Sequence, residues 1–213
     1  MRLRGRFISF EGIEGAGKTS LVRSLETTLT ARGVPVLVTR EPGGTPLAER
    51  LRSIVLERGG EHISPQAETL IMFAARAIHL ENRILPALDQ GQWVLCDRFT
   101  DATRAYQGAG RGVDADLIET LADAVHSDLW PDRTLVLDLP VEQGLSRARQ
   151  RKGGGDRFED EDVRFFSRVR ACYRALAASE PQRVRLIDAS AGPEEVAARA
   201  LQALDELLPS GHT

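Results

Sequence analysis

Two hydrophobic rhythms alternate along this chain. Short apolar runs at 7–10, 34–39, 92–97, 134–139 and 184–188 read as buried strands. Between them, apolar residues recur at helical spacing, as in Leu21, Val22, Leu25 and Leu29, or Leu47, Leu51, Ile54 and Val55. A long helical pattern runs from Ser64-Pro65 towards Leu88, with Ser64 suited to an N-cap and Pro65 to a first turn. Further helices are predicted over roughly 101–107, 114–126, 141–151, 161–179 and 193–208. Strands alternating with helices predict an α/β fold, a doubly wound sheet of five parallel strands covered on both faces. Ligands in such folds sit at the carboxyl ends of the strands. The polar, Gly- and Arg-rich stretch at 151–160 reads as a mobile loop, and 209–213 as a loose tail.

Composition adds limits. At 213 residues, with 42 % hydrophobic and 28 % charged content, the chain suits one globular domain, and no linker divides it. A net charge of −3 argues against broad nucleic-acid or membrane binding. The basic start leads into a short apolar run, unlike a signal peptide, and no stretch is long enough to span a bilayer. The expected location is the cytoplasm. Cys96 and Cys172 lack metal-ligand spacing, and Cys96 falls in a strand pattern as a buried, reduced thiol.

The most informative stretch is Gly12-Ile13-Glu14-Gly15-Ala16-Gly17-Lys18-Thr19, which fits G-x-x-x-x-G-K-[ST] between a strand and a helix. Its glycines let main-chain N–H groups wrap a di- or triphosphate at a helix N-terminus. Lys18 is placed to reach the β- and γ-phosphates, and the Thr19 hydroxyl to ligate Mg²⁺. Asp97 ends a strand and could hold Mg²⁺ opposite Thr19. Asp138 also ends a strand, and Asp97 is favoured because Arg98 follows it as a cation for phosphate oxygens. Met72 and Phe73 lie one helical turn before Arg76, an apolar surface and a cation that would suit a base and its phosphate; core packing and an ion pair would satisfy the same pattern. Tyr106 and Gln107 offer a ring and an amide that can read a base edge. Arg147, Arg149, Arg151, Lys152 and Arg157 surround Gly153-Gly154-Gly155, a candidate flap whose cations would close over a transferring phosphoryl group.

Together these residues resemble the bacterial thymidylate kinases over nearly the whole chain. The segments that carry the likeness are Phe10–Thr19, Thr39-Arg40-Glu41-Pro42-Gly43-Gly44-Thr45, Asp97-Arg98-Phe99 with Ala105-Tyr106-Gln107-Gly108, and Asp156-Arg157-Phe158-Glu159. The resemblance implies a P-loop nucleoside monophosphate kinase-like fold and transfer of the ATP γ-phosphoryl group to dTMP with Mg²⁺. It implies further that Gly12–Thr19 hold ATP phosphates and that Glu14 faces the sugar 3′-hydroxyl. Arg76 and Arg98 would grip the acceptor phosphate. Thr103, Tyr106 and Gln107 would line the thymidine pocket, together with Arg40, Pro42 and Met72 or Phe73. With Gly15 in the loop, the lid at about 150–160 would supply the arginine, from Arg149, Arg151 or Arg157. A homodimer is expected on the same ground. Met72 stands where the family commonly has Phe, and Ala102 where many members have Ser. A different small phosphate-loop kinase is the competing enzyme. A GTP-binding switch would need N-K-x-D, whereas the only asparagine, Asn82, precedes Arg83.

Overall fold

The computed structural model describes residues 4–58, 61–150, 158 and 161–208. Five parallel strands form one sheet: β1 (Phe7–Glu11), β2 (Val36–Arg40), β3 (Trp93–Asp97), β4 (Arg133–Asp138) and β5 (Val184–Asp188), in the order β2-β3-β1-β4-β5. All five residues of β1 are buried. A central parallel strand is covered on both faces, which is why its sequence reads as a continuous apolar run. Its one small hydroxyl, Ser9, is paired with Thr134 at 2.8 Å across the ladder.

The helices are α1 (Lys18–Ala31), α2 (Pro46–Leu56), α3 (Pro65–His79), α4 (Leu85–Asp89), α5 (Thr100–Thr103), α6 (Ala115–His126), α7 (Val141–Arg149), α8 (Val163–Ser179) and α9 (Pro193–Gln202). Ser64 caps α3 by accepting from the Ala67 N–H at 3.2 Å, as its sequence position predicts. The long helical pattern that follows is not one helix. A π-helical turn, Leu80–Ile84, joins α3 to α4. Pro86 has no N–H to give to a preceding carbonyl, and a wider turn accommodates it. A second π-helical turn, Arg104–Gly110, continues α5 and carries Tyr106 and Gln107.

Chain reversal about β1 positions the site. The strand has β3 on one side and β4 on the other, so the loop after it lies where the sheet order changes direction. That loop packs closely on α7, backbone near backbone at Gly15 and Gly144, with the Ile13 side chain beside them. A Cβ on Gly15, whose φ is +72°, would overlap the Gly144 carbonyl, and one on Gly144 would stand 2.7 Å from the Glu14 carbonyl oxygen. Glycine inside a helix costs about 1 kcal/mol relative to alanine; here it allows this close approach. Among the described residues, no helix is long and apolar enough to cross a membrane.

Candidate active site

The Gly12–Thr19 loop leads from β1 into α1, and Gly17 takes a left-handed conformation (φ 95°) at the helix start. The Lys18 ammonium lies inside the loop, donating to the carbonyls of Gly12 at 3.0 Å and Ile13 at 3.1 Å. Burial, and next the nearby Arg98, push its pKa down to about 8, against the pull of Asp97, Glu14 and Glu11. A polyphosphate in the loop would restore the full positive charge. Lys18, Thr19, Arg40, Asp97, Arg98 and Arg147 all face one outer chamber beside the loop.

A second, inner chamber lies between α3 and the π-helical turn that follows α5. Its walls include Pro42, Met72, Arg76, Thr103, Tyr106 and Gln107, and Phe158 also lines it. Glu14, Glu41, Arg52 and Arg98 line both chambers, so the two share a wall. Arg98 is the joint. Its Nη2 donates to Glu14 at 2.8 Å and to the Tyr106 hydroxyl at 2.9 Å, and its guanidinium lies 4.5 Å from the Tyr106 ring centre. The Tyr106 hydroxyl in turn donates to Glu14 at 2.7 Å.

The backbone beneath Arg98 is unusual. With φ at 74°, Arg98 is one of two non-glycine residues of positive φ among those described. Such a conformation costs on the order of 1–3 kcal/mol and persists where neighbours over-determine it. Here the Arg98 N–H donates to the Phe10 carbonyl at 3.0 Å, and the Phe99 N–H to Glu11 at 2.8 Å. Glu11 is fully buried and also accepts from the Tyr173 hydroxyl at 2.7 Å. Burial, with Asp101 adding to it, pushes its pKa up to about 8 despite Arg98. Glu11 and Tyr173 thus hold Arg98 from behind, a support that the motif pattern does not signal.

Arg76 is placed differently from Arg98. It lines the inner chamber and is not among the residues facing the outer one. Its Nε donates to Glu41 at 2.7 Å and its Nη2 to Thr103 at 3.1 Å, while Nη1 is buried without a partner. Burial raises the Glu41 pKa, but Arg76 and His79 outweigh it and hold the carboxyl below its ordinary value. Arg98 and Arg52 line both chambers, whereas Arg76 lines the inner one. One arginine on an exposed-looking helix carries no sequence pattern, so Arg52 has no signal there; its guanidinium donates to the Pro42 carbonyl at 2.9 Å.

Other placements separate the alternatives left open by the sequence. Met72 lines the inner chamber, whereas Phe73 packs with Val113, Ile118 and Ala122 and stacks 4.7 Å from the Arg76 guanidinium. Phe73 therefore supports Arg76 from the core and does not border the chamber. Asp97 faces the outer chamber with Thr19, while Asp138 is held by Arg170 at 2.6 and 3.0 Å and by Arg174 at 2.8 Å. One carboxylate and one hydroxyl, with phosphate oxygens and water, suit the octahedral shell of Mg²⁺. Among the described residues no group of three or more His, Cys, Asp and Glu converges on a metal position. Arg149 ends α7 exposed, outside the residues lining either chamber, and Arg147 takes the position facing the loop. Arg151, Arg157 and most of the expected lid lie outside the described residues. Cys96 is buried and both cysteines are free thiols.

Comparison with known proteins agrees with this geometry. The thymidylate kinase family model matches residues 10–200. Thymidylate kinase of Alkalilimnicola ehrlichii is 50 % identical over 210 residues, covering 99 % of this chain and 95 % of that protein. The Pseudomonas syringae pv. tomato enzyme of the same name is 54 % identical over 207 residues, covering 97 % and 96 % respectively. The crystal structure of thymidylate kinase from Ehrlichia chaffeensis superposes with a TM-score of 0.78 at 33 % identity, covering 95 % of this chain and 100 % of the other. A glycine-rich loop between strand and helix, a second chamber joined to it through Arg98, and likeness along the full length lead to one assignment: this chain belongs to the thymidylate kinase family of nucleoside monophosphate kinases, which phosphorylate dTMP.

Proposed function

We propose that this protein transfers the γ-phosphoryl group of ATP to dTMP, with Mg²⁺, and so supplies dTDP for dTTP and DNA synthesis. The observation that carries the proposal is the shared wall: Arg98 and Arg52 border both a phosphate-loop chamber and a base-sized inner chamber. Two nucleotides placed end to end would then meet at Arg98. In the inner chamber Met72 supplies a soft apolar surface for a pyrimidine ring. The unpartnered Nη1 of Arg76 is a donor for a ring carbonyl. Glu14, at the junction of the chambers, would meet the sugar hydroxyl. A further chamber beside the phosphate loop, lined by Arg147, Ala189, Gly192 and Pro193, suits the adenine of the donor.

The acceptor is a phosphate oxygen that is already ionised, so no general base is required. That oxygen attacks the γ-phosphorus in line, the bond to the bridging oxygen breaks, and ADP leaves. Lys18 and the loop N–H groups hold the donor phosphates, while Arg98 and Arg52 hold the acceptor and offset its charge. Mg²⁺, held by Thr19 and Asp97 when bound, would neutralise charge on the donor phosphates. We infer that the segment at about 150–160 is a lid within one phosphate-loop kinase domain, with Arg151 and Arg157 in it and Arg149 at its edge as its cations. A cytoplasmic homodimer with no nucleic-acid or membrane partner completes the reading. Support for the dimer comes from Leu47 and Ile54 on α2 and Leu70 on α3, 49 %, 47 % and 52 % exposed on adjoining helices.

The test is a substrate panel of dTMP, dUMP, UMP, CMP, GMP and AMP with ATP–Mg²⁺. The highest kcat/KM is expected with dTMP. Preference for any other acceptor contradicts the proposal.

A further inference from the structure

Behind the inner chamber lies a charged layer that the reaction does not use. Glu68, in the first turn of α3, is only 1 % exposed, yet carries a carboxylate. Its Oε1 accepts from Gln107 Nε2 at 2.8 Å and from Arg111 Nε at 2.9 Å. Arg111 also pairs with Glu161 at 2.9 Å and stacks its guanidinium 5.2 Å from the Phe158 ring and 5.6 Å from that of Phe165. Gln107 is itself 2 % exposed and borders the chamber.

An ionised carboxylate only accepts hydrogen bonds, whereas an amide has a donating end and an accepting end. Glu68 therefore settles which way the Gln107 amide points. The NH₂ group turns to the carboxylate, and the carbonyl oxygen is the end left for the chamber. Flipping the amide would set its oxygen against the Glu68 oxygen in a buried site, a mismatch that the low local dielectric makes severe. Arg111 pairs with the carboxylate at 2.9 Å and offsets its charge. The same arginine links the layer to Phe158, which also lines the chamber.

We propose that Glu68 is a specificity-determining positioning residue: it fixes the Gln107 amide with its oxygen towards the base, and so selects a pyrimidine that carries an N3–H. The inference rests on the reading that the inner chamber takes dTMP. A donor from Arg76 Nη1 and an acceptor from Gln107 Oε1 match the O4 and N3–H edge of thymine. Cytosine presents an NH₂ and a bare N3 on the same edge, reversing both, and a site built to hydrogen-bond one pattern strongly rejects the other. With glutamine in place of Glu68, the neighbour could donate as well as accept. The Gln107 amide would then be free to turn, and one of the two mismatches with cytosine would disappear.

The experiment measures kcat/KM for dTMP and dCMP in the wild-type protein, Glu68→Gln, Gln107→Met and the double variant, with thermal melting to confirm folding. In Glu68→Gln the dTMP-to-dCMP ratio is expected to fall at least tenfold. The loss on dTMP should appear mainly in KM, with kcat changed less than threefold. Gln107→Met should lose discrimination to a similar degree, and the double variant should lose no more than Gln107→Met alone. An unchanged ratio in a folded Glu68→Gln protein overturns the inference. If that variant does not fold, an unchanged ratio in Gln107→Met overturns it instead. A wild type that does not prefer dTMP removes the substrate reading, and this inference with it; a wild type that does, beside an indifferent variant, sinks this inference alone.

Discussion

Replacing Lys18 with alanine is expected to lower kcat by about 10²–10³-fold, the usual loss when one preorganised donor to a reacting centre is removed. Lys18 is 9 % exposed, and its ammonium sits between the Gly12 and Ile13 carbonyls, within the turn that would surround the donor phosphates. No other lysine is among the described residues, since the second in the chain is Lys152. The fold should survive the change. Two modest hydrogen bonds to loop carbonyls are lost, and those carbonyls can meet water or phosphate instead. Steady-state kinetics alongside a melting curve separates the two effects. A variant with near-normal kcat would remove Lys18 from the phosphoryl transfer.

Arg98→Ala should be comparably damaging, with losses in both kcat and the KM for the acceptor. Arg98 alone combines contact with Glu14, Tyr106 and Tyr173 with a place in the walls of both chambers. Removing it deletes the cation at the junction and leaves the Glu14 carboxylate uncompensated where, on the proposed function, a phosphate dianion would arrive. The expected fall in kcat/KM is about 10³-fold or more, because a positioning contact and a charge-neutralising one disappear together. Arg98→Lys should recover only part of this, since an ammonium cannot reproduce the planar fork that now meets Glu14 and Tyr106. Kinetics with dTMP as the varied substrate checks both variants. An Arg98→Ala protein with full activity would dissociate the junction from the chemistry.

Much of the fold was legible because its signals are local. The phosphate loop is contiguous, with a buried strand before it and an amphipathic helix after it, and strand and helix patterns alternated clearly enough to give the sheet class. Features decided by distant packing were not. Periodicity treats Met72 and Phe73 as equal neighbours on one helix, and only Val113, Ile118 and Ala122 decide that Phe73 faces the core. Asp97 and Asp138 both end strands; Arg170 and Arg174 of α8 occupy the second and leave the first facing the outer chamber. Arg76 reads in the sequence as a cation one helical turn after an apolar pair. Its buried pairing with Glu41, a residue from a different turn, holds it at the inner chamber. Breaking such a buried pair typically costs about 3–5 kcal/mol, so Arg76 variants would confound folding with recognition.

Glu11 and Glu68 were illegible for a related reason. A lone carboxylate in a sequence gives no sign that it will be buried. Each is explained by partners far along the chain, Tyr173 for the first and Arg111 for the second. The Gly15–Gly144 approach likewise joins a loop to a helix more than a hundred residues later, and nothing in either segment announces the other.

Whether two nucleotides meet at Arg98 is tested most directly by a crystal structure with dTMP and ADP. The expected result puts the ADP phosphates in the Gly12–Thr19 turn and the dTMP phosphate against Arg98 and Arg52. It also puts the thymine edge between Arg76 Nη1 and the Gln107 carbonyl oxygen. A dTMP molecule found outside the inner chamber, or one whose phosphate points away from Arg98, would contradict it.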